Sequence, residues 1–160
     1  MSNYFQTNRN VELSTLDYFE GEFSNKWSDI TIVKNFTKAY EKPLPVVCIS
    51  LISQSTDRLE IGNTRLSNRY LLNFDIFAKS DGQRIDLAGF ILSKLASSWT
   101  YYIYSHSSSS SSDYLSKTED GKIFVEEFIA NEKINYIDSE DVKDQYRHII
   151  TVAVRKSGWN

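Results

Sequence analysis

Tyr70 to Lys79 reads YLLNFDIFAK, and its alternation decides the fold. Leu72, Phe74, Ile76 and Ala78 fall on one side and Asn73, Asp75, Phe77 and Lys79 on the other, the period of two that a half-buried strand requires. One face is expected to be core and the other mixed. Ser80-Asp81-Gly82 breaks this strand. Ile85, Ala88, Ile91, Leu92, Leu95 and Trp99 then mark a helix from about Gln83 to Ser98, with Asp86, Ser93 and Lys94 on its polar side.

Upstream, Pro43 and Pro45 force an extended approach to Val46-Val47-Cys48-Ile49-Ser50-Leu51-Ile52. That run is apolar on both alternating faces, as a central strand is. Arg58 to Ile61 is a short strand candidate, followed by a turn or bulge at Gly62-Asn63. Nearer the N-terminus, Leu13, Leu16, Phe19, Phe23 and Trp27 recur at spacings of three and four. They predict an amphipathic helix from about Ser14 to Lys26, with Ser14 and Asp17 as a capping pair. Gly21 inside it costs about 1 kcal/mol against Ala. Ile30 to Val33 is a short strand.

Downstream, Tyr101 to Tyr104 reads as a strand. Ser105 to Ser112 is almost all serine around His106, and such short side chains bury too little to offset ordering entropy. A flexible Ser-rich loop over about residues 105–119 is expected. Lys122 to Asn135 is compatible with one or two strands, or with a short helix over Val125 to Ala130. Gln145 to Lys156 is a terminal strand. His148, Ile150, Val152 and Val154 share one face, and Arg147, Ile149, Thr151, Ala153 and Arg155 the other. The order of elements gives one α+β domain over residues 1–160, two helices packed on one face of a mostly antiparallel or mixed sheet. The other face, with Asp75, Phe77, Lys79, Arg147 and Arg155, is left for solvent or partners.

Composition fits such a domain. Hydrophobic residues make 41% and charged residues 24% of the 160, enough to build a core. Lys and Arg number 18 against 21 for Asp and Glu, a formal charge of -3, which argues against a surface built to neutralise nucleic-acid phosphates. Met1 to Asn10 lacks the basic start and apolar stretch of a secretory signal. No apolar run approaches the roughly 20 residues of a membrane helix, so no membrane association is expected. Ten Tyr, nine Phe and three Trp suit large contact surfaces.

Catalytic patterns are sparse. Cys48, the single cysteine, sits in an apolar strand where a nucleophile has neither a base nor access. His106 and His148 lack metal-ligand spacing, and the glycines form no phosphate-binding loop. The least implausible enzyme is a metal-dependent nuclease with Glu60, Asp75 and Lys79 around magnesium. A solvated sheet face explains the same residues more simply. No cofactor, no metal and no enzymatic activity are expected.

Pro43 to Leu95, PLPVVCISLISQSTDRLEIGNTRLSNRYLLNFDIFAKSDGQRIDLAGFILSKL, resembles the tail terminator proteins of long-tailed bacteriophages. The resemblance rests on the proline-led apolar strand, Arg58 to Gly62, Phe74 to Ala78, and Arg84-Ile85-Asp86-Leu87-Ala88 opening a helix. An N-terminal helix and a late strand at Arg147 to Arg155 complete it. It implies a structural virion subunit, made in the host bacterial cytoplasm, that forms a hexameric ring at the head-proximal end of the tail. Such a ring ends polymerisation of the tube, meets the tail tube protein below and head-completion or neck proteins above, and lets DNA pass without specific binding. Another neck or tail-completion protein is the neighbouring alternative. Within this reading Arg147 and Arg155 are candidates for a subunit boundary or the channel, and Asp75, Phe77 and Lys79 for a partner-facing sheet surface.

Overall fold

In the computed structural model, which describes residues 6–58, 66–106, 114–134 and 144–157, helices and strands alternate irregularly. The chain runs through α1 (Thr7–Ser24), β1 (Thr31–Val33), α2 (Phe36–Glu41), β2 (Val46–Arg58) and β3 (Leu66–Phe77). It continues through α3 (Asp81–Leu95), β4 (Trp99–His106), β5 (Tyr114–Ile134) and β6 (Arg147–Ser157). The six strands form one sheet in the order β1-β2-β3-β6-β5-β4. Among the described residues only β1 and β2 pair in parallel; the other neighbouring pairs are antiparallel. The fold is α+β.

The alternation of β3 and β6 places the core as expected. Leu72, Phe74, Ile76, Ile150, Val152 and Val154 are all fully buried beneath α1 and α3, with Val47 and Ile49 beside them. Burying each such side chain is worth about 1.5–3 kcal/mol, which is why one apolar face suffices to hold the layers together. Val46 and Cys48 point the other way and pack in a second cluster with Val33, Ala39 and Phe77. β2 is therefore apolar on both faces as read, but it is not central. It lies one strand from the sheet edge, covered over Val46–Cys48 by the three residues of β1.

α2, between Val33 and Pro43, has no counterpart in the sequence pattern. Asn35 caps it by accepting from the Thr37 N–H at 2.9 Å, and six residues are too few to show a period. It packs on the face opposite α1 and α3, so the helices do not all lie on one side.

α1 starts about two turns before Ser14, with no side-chain cap at Gln6. Ser14 is buried in mid-helix, so its reading as a cap is overturned. Three buried polar residues, Asn10, Ser14 and Thr15, hide the inward stripe from an apolar pattern, and their purpose is local. Ser14 Oγ accepts from the Tyr102 N–H at 2.9 Å and Asn10 Oδ1 from the Tyr104 N–H at 3.4 Å. These are outward-pointing amides of β4, so α1 serves as the missing neighbour of that edge strand. On the opposite flank, Glu12 accepts from the Leu51 N–H at 2.9 Å. Since α1 touches both β2 and β4, the sheet curls around it.

α3 is capped by Ser80, whose Oγ accepts from the Gln83 N–H at 3.2 Å. Its buried positions are Arg84, Leu87, Ala88, Ile91 and Leu95, and Ile85, read as inward, is exposed. The arginine at the head of that stripe disguised it. β5 resolves the ambiguity of the stretch from Lys122 as one strand up to Ile134, Asn135 lying outside the described residues, and is irregular between Val125 and Glu127 and between Phe128 and Ala130. Its first residues, with Ser105 and His106, lie in paired strands, Ser105 opposite Ser116 and Ile103 opposite Thr118. That much of the expected flexible loop is sheet; residues 107–113 lie outside the described residues. Where β5 passes from β4 to β6, Gly121 has φ +106°, and a Cβ there would stand 2.4 Å from the Ser157 carbonyl oxygen, so only glycine fits.

Candidate functional site

The outer face of the sheet, away from α1 and α3, was the expected partner surface. At its α2 end it is closed. Phe77 is 1% exposed under the rings of Phe36 and Tyr40, and Asp75 is 4% exposed. Asp75 Oδ1 accepts from Arg147 Nη2 at 2.7 Å and Nε at 3.1 Å, and Oδ2 from Asn73 Nδ2 at 2.6 Å. Burial pushes the Asp75 carboxyl up, while Arg147 and Asn73 pull it down. The Arg147 guanidinium lies 4.8 Å from the Phe36 ring centre, a cation over an aromatic face. Asp75 and Phe77 are thus interior to the chain and do not face a partner. The reason is α2, whose cover no alternation in β3 can reveal. Lys79 is exposed and reaches Asp29 at 3.8 Å.

Arg147 and Arg155 share this face, as the period requires, but each is engaged within the chain. Arg155 Nε meets Glu126 at 2.9 Å and its Nη1 donates to Ser67. Arg69 bridges Glu126, at 3.1 Å, and Glu127. Arg155 first and Arg69 second hold the Glu126 carboxyl below the usual carboxylate range. The network ties β3, β6 and β5 together across the face. The nuclease constellation is not assembled: Asp75 is held by Arg147, Lys79 pairs elsewhere, and Glu60 lies outside the described residues. Among the described residues no three His, Cys, Asp or Glu side chains gather to hold a metal, and no helix is long and apolar enough to cross a membrane. Burial, then Asp75 and Glu12, push the Cys48 thiol up to about 12, so it carries no thiolate chemistry at neutral pH.

A second cluster lies under the N-terminus of α3. Arg84, 4% exposed, donates to the Arg147 carbonyl oxygen at 3.2 Å, pairs with Asp81 and lies 5.9 Å from the Tyr146 ring. Lys133 also reaches Asp81, at 3.2 Å. His148 beside them is buried, its Nε2 donating to Asn131 Oδ1 at 2.6 Å in the neutral ring. Burial, then the charges of Arg84 and Lys133, hold its pKa below the usual 6.5. Its contribution to stability is therefore complete above the unfolded value of about 6.5 and is lost as pH falls through the lower folded value. We expect the urea midpoint to fall between pH 7.5 and pH 5, and to fall less steeply in His148→Gln. Equal pH slopes in the two proteins would remove His148 from this role.

Backbone, rather than side-chain chemistry, is what the surface leaves open. β4 ends its pairing opposite Ile123, so from Phe124 to Ile134 β5 has β6 on one side and no strand on the other among the described residues. Phe128 and Ile129 on this stretch are 50% and 47% exposed. On the far side of the sheet β1 covers only Val46–Cys48, and beyond Leu51 the outer edge of β2 is likewise open, with Ile52 53% exposed. Such edges are templates for another strand, and single-chain proteins normally cover them. Here α1 covers β4 and Leu51, but among the described residues no strand pairs with these two stretches. Sequence reading missed them because pairing partners leave no trace in a strand's own pattern. Neither a protein-family model nor a curated protein matches the chain.

Proposed function

We propose that the chain is a structural subunit of a bacteriophage tail, assembling into a ring at the head-proximal end of the tail tube and ending its growth. The observation that carries this reading is the pair of unlike open edges, β2 and β5, on opposite sides of one sheet. A ring closes only through a heterologous contact, in which one surface of each copy meets a different surface of the next. Two unlike edges supply that, whereas one edge pairing with itself stops at a dimer. The resemblance of Pro43 to Leu95 to tail terminators supplies the biological setting and the hexameric stoichiometry. The surface charges, paired across the outer face, leave a modestly acidic molecule in keeping with a channel that does not hold DNA.

Imaging tail tubes assembled with a tagged copy tests this. The tag is expected at one end only, at the head junction, and phage lacking the protein is expected to make tubes longer than normal. Tags along the tube, or none on it, would overturn the reading. Normal-length tubes that fail to join heads would assign the chain to the neck instead.

A further inference from the structure

The registers across the sheet allow the ring contact itself to be named. Leu51 stands opposite Leu72, Leu72 opposite Val152, and Val152 opposite Phe128. Ile52, at the irregularity next to Leu51, and Phe128 are therefore on neighbouring rungs at opposite edges. In the same way Val33 leads through Cys48, Asp75 and Ile149 to Glu132, so Lys34, the residue after Val33, lies one position from the height of Glu132 on the opposite flank. Both are exposed. β2, β3, β6 and β5 alternate in direction, so β2 and β5 run antiparallel. A second copy that continues the sheet beyond β5 thus presents β2 in the antiparallel sense, apolar residue to apolar residue and lysine to glutamate.

We propose that the open edge of β5 pairs with the open β2 edge of a second copy of this chain, Phe128 packing on Ile52 and Glu132 meeting Lys34. The inference rests on the ring reading and gives it an interface. Pairing satisfies the bare amides and carbonyls of both edges at once and buries their exposed apolar residues. β1 stands one strand outside β2, and the irregularity of β5 between Phe128 and Ala130 bends it between the part that follows β2 and the part that meets β1. Because the sheet curls between the two edges, each contact turns the next copy through an angle. That is the condition for a closed ring rather than a straight ribbon.

The test mixes full-length Ser53→Cys and Glu127→Cys chains, whose sites share a rung, and follows cross-linking under oxidation together with sedimentation. A disulfide-linked pair is expected from the mixture and from neither variant alone. Phe128→Lys is expected to abolish the ring-sized species with its urea midpoint unchanged. Glu132→Lys is expected to weaken the ring, and Lys34→Glu added to it to restore assembly. Rings that form without the cross-link, and equally well in Phe128→Lys, would overturn this interface while leaving the ring intact. A chain that stays monomeric and unlinked at all concentrations would also overturn it, and the position of the tag on tail tubes would then judge the ring reading separately.

Discussion

Arg147→Ala is expected to lower the unfolding free energy by about 3–5 kcal/mol, because it leaves the buried Asp75 carboxylate without its counter-ion. The pair is held by two hydrogen bonds from one guanidinium, and among the described residues Asn73 is the one further side-chain donor to Asp75. Removing the arginine also uncovers the faces of Phe36 and Phe77 that it overlies, at 4.8 and 5.4 Å, so packing is lost with charge. The sign of the pH response follows. Without Arg147 the carboxyl rises further above its unfolded value, so the folded state binds an extra proton, and the deficit of the variant shrinks as pH falls through that raised value. Asp75→Asn combined with Arg147→Met removes both charges and is expected to lose much less than the single variant. Urea denaturation at pH 7.5 and pH 5 reads all three. A loss under about 1 kcal/mol in Arg147→Ala would mean that water reaches the pair and that α2 is not the cover described above.

The same residues show how far the sequence could be read. In β3 and β6 the backbone period and the burial coincide, so Leu72, Phe74, Ile76, Ile150, Val152 and Val154 were legible as core. A period says which residues share a face and nothing of what lies over it. Asp75 and Phe77 lie on the side that the period predicts, yet they are covered rather than open to a partner, since α2 has too few residues to announce itself. Asn10, Ser14, Thr15 and Arg84 were illegible for another reason. Each is polar and buried by making hydrogen bonds to β4, β6 or its own helix, and an apolar template treats such residues as surface. The open edges could not be read at all, because a strand's bareness depends on where its neighbours stop.

Trp99→Ala is expected to cost about 3–5 kcal/mol, the range for deleting a large buried aromatic, and to loosen β4 from α1. Trp99 is 2% exposed at the point where α3 gives way to β4. Its indole stacks on Tyr18 with ring centres 5.6 Å apart and an interplanar angle of 9°, and meets Phe19 edge-on at 6.4 Å. Phe19 in turn touches Phe74 at 5.0 Å, so one ring links α1, β4 and the centre of the sheet. The indole N–H donates to Thr15 Oγ1 at 3.2 Å, and that hydroxyl donates to the Val11 carbonyl oxygen at 2.8 Å. Alanine leaves a cavity and removes the donor; Trp99→Phe keeps most of the volume and is expected to lose distinctly less. The consequence reaches the edges. α1 covers β4 through Asn10 and Ser14, so loosening it exposes amides of a third edge next to the open stretch of β5, and ring assembly should give way to irregular association. Hydrogen exchange locates the effect: faster exchange at the Tyr102 and Tyr104 amides in Trp99→Phe, with β3 and β6 unchanged, is the expected pattern. Uniform acceleration across all strands would show that α1 and β4 do not form a separable unit with Trp99 at its centre.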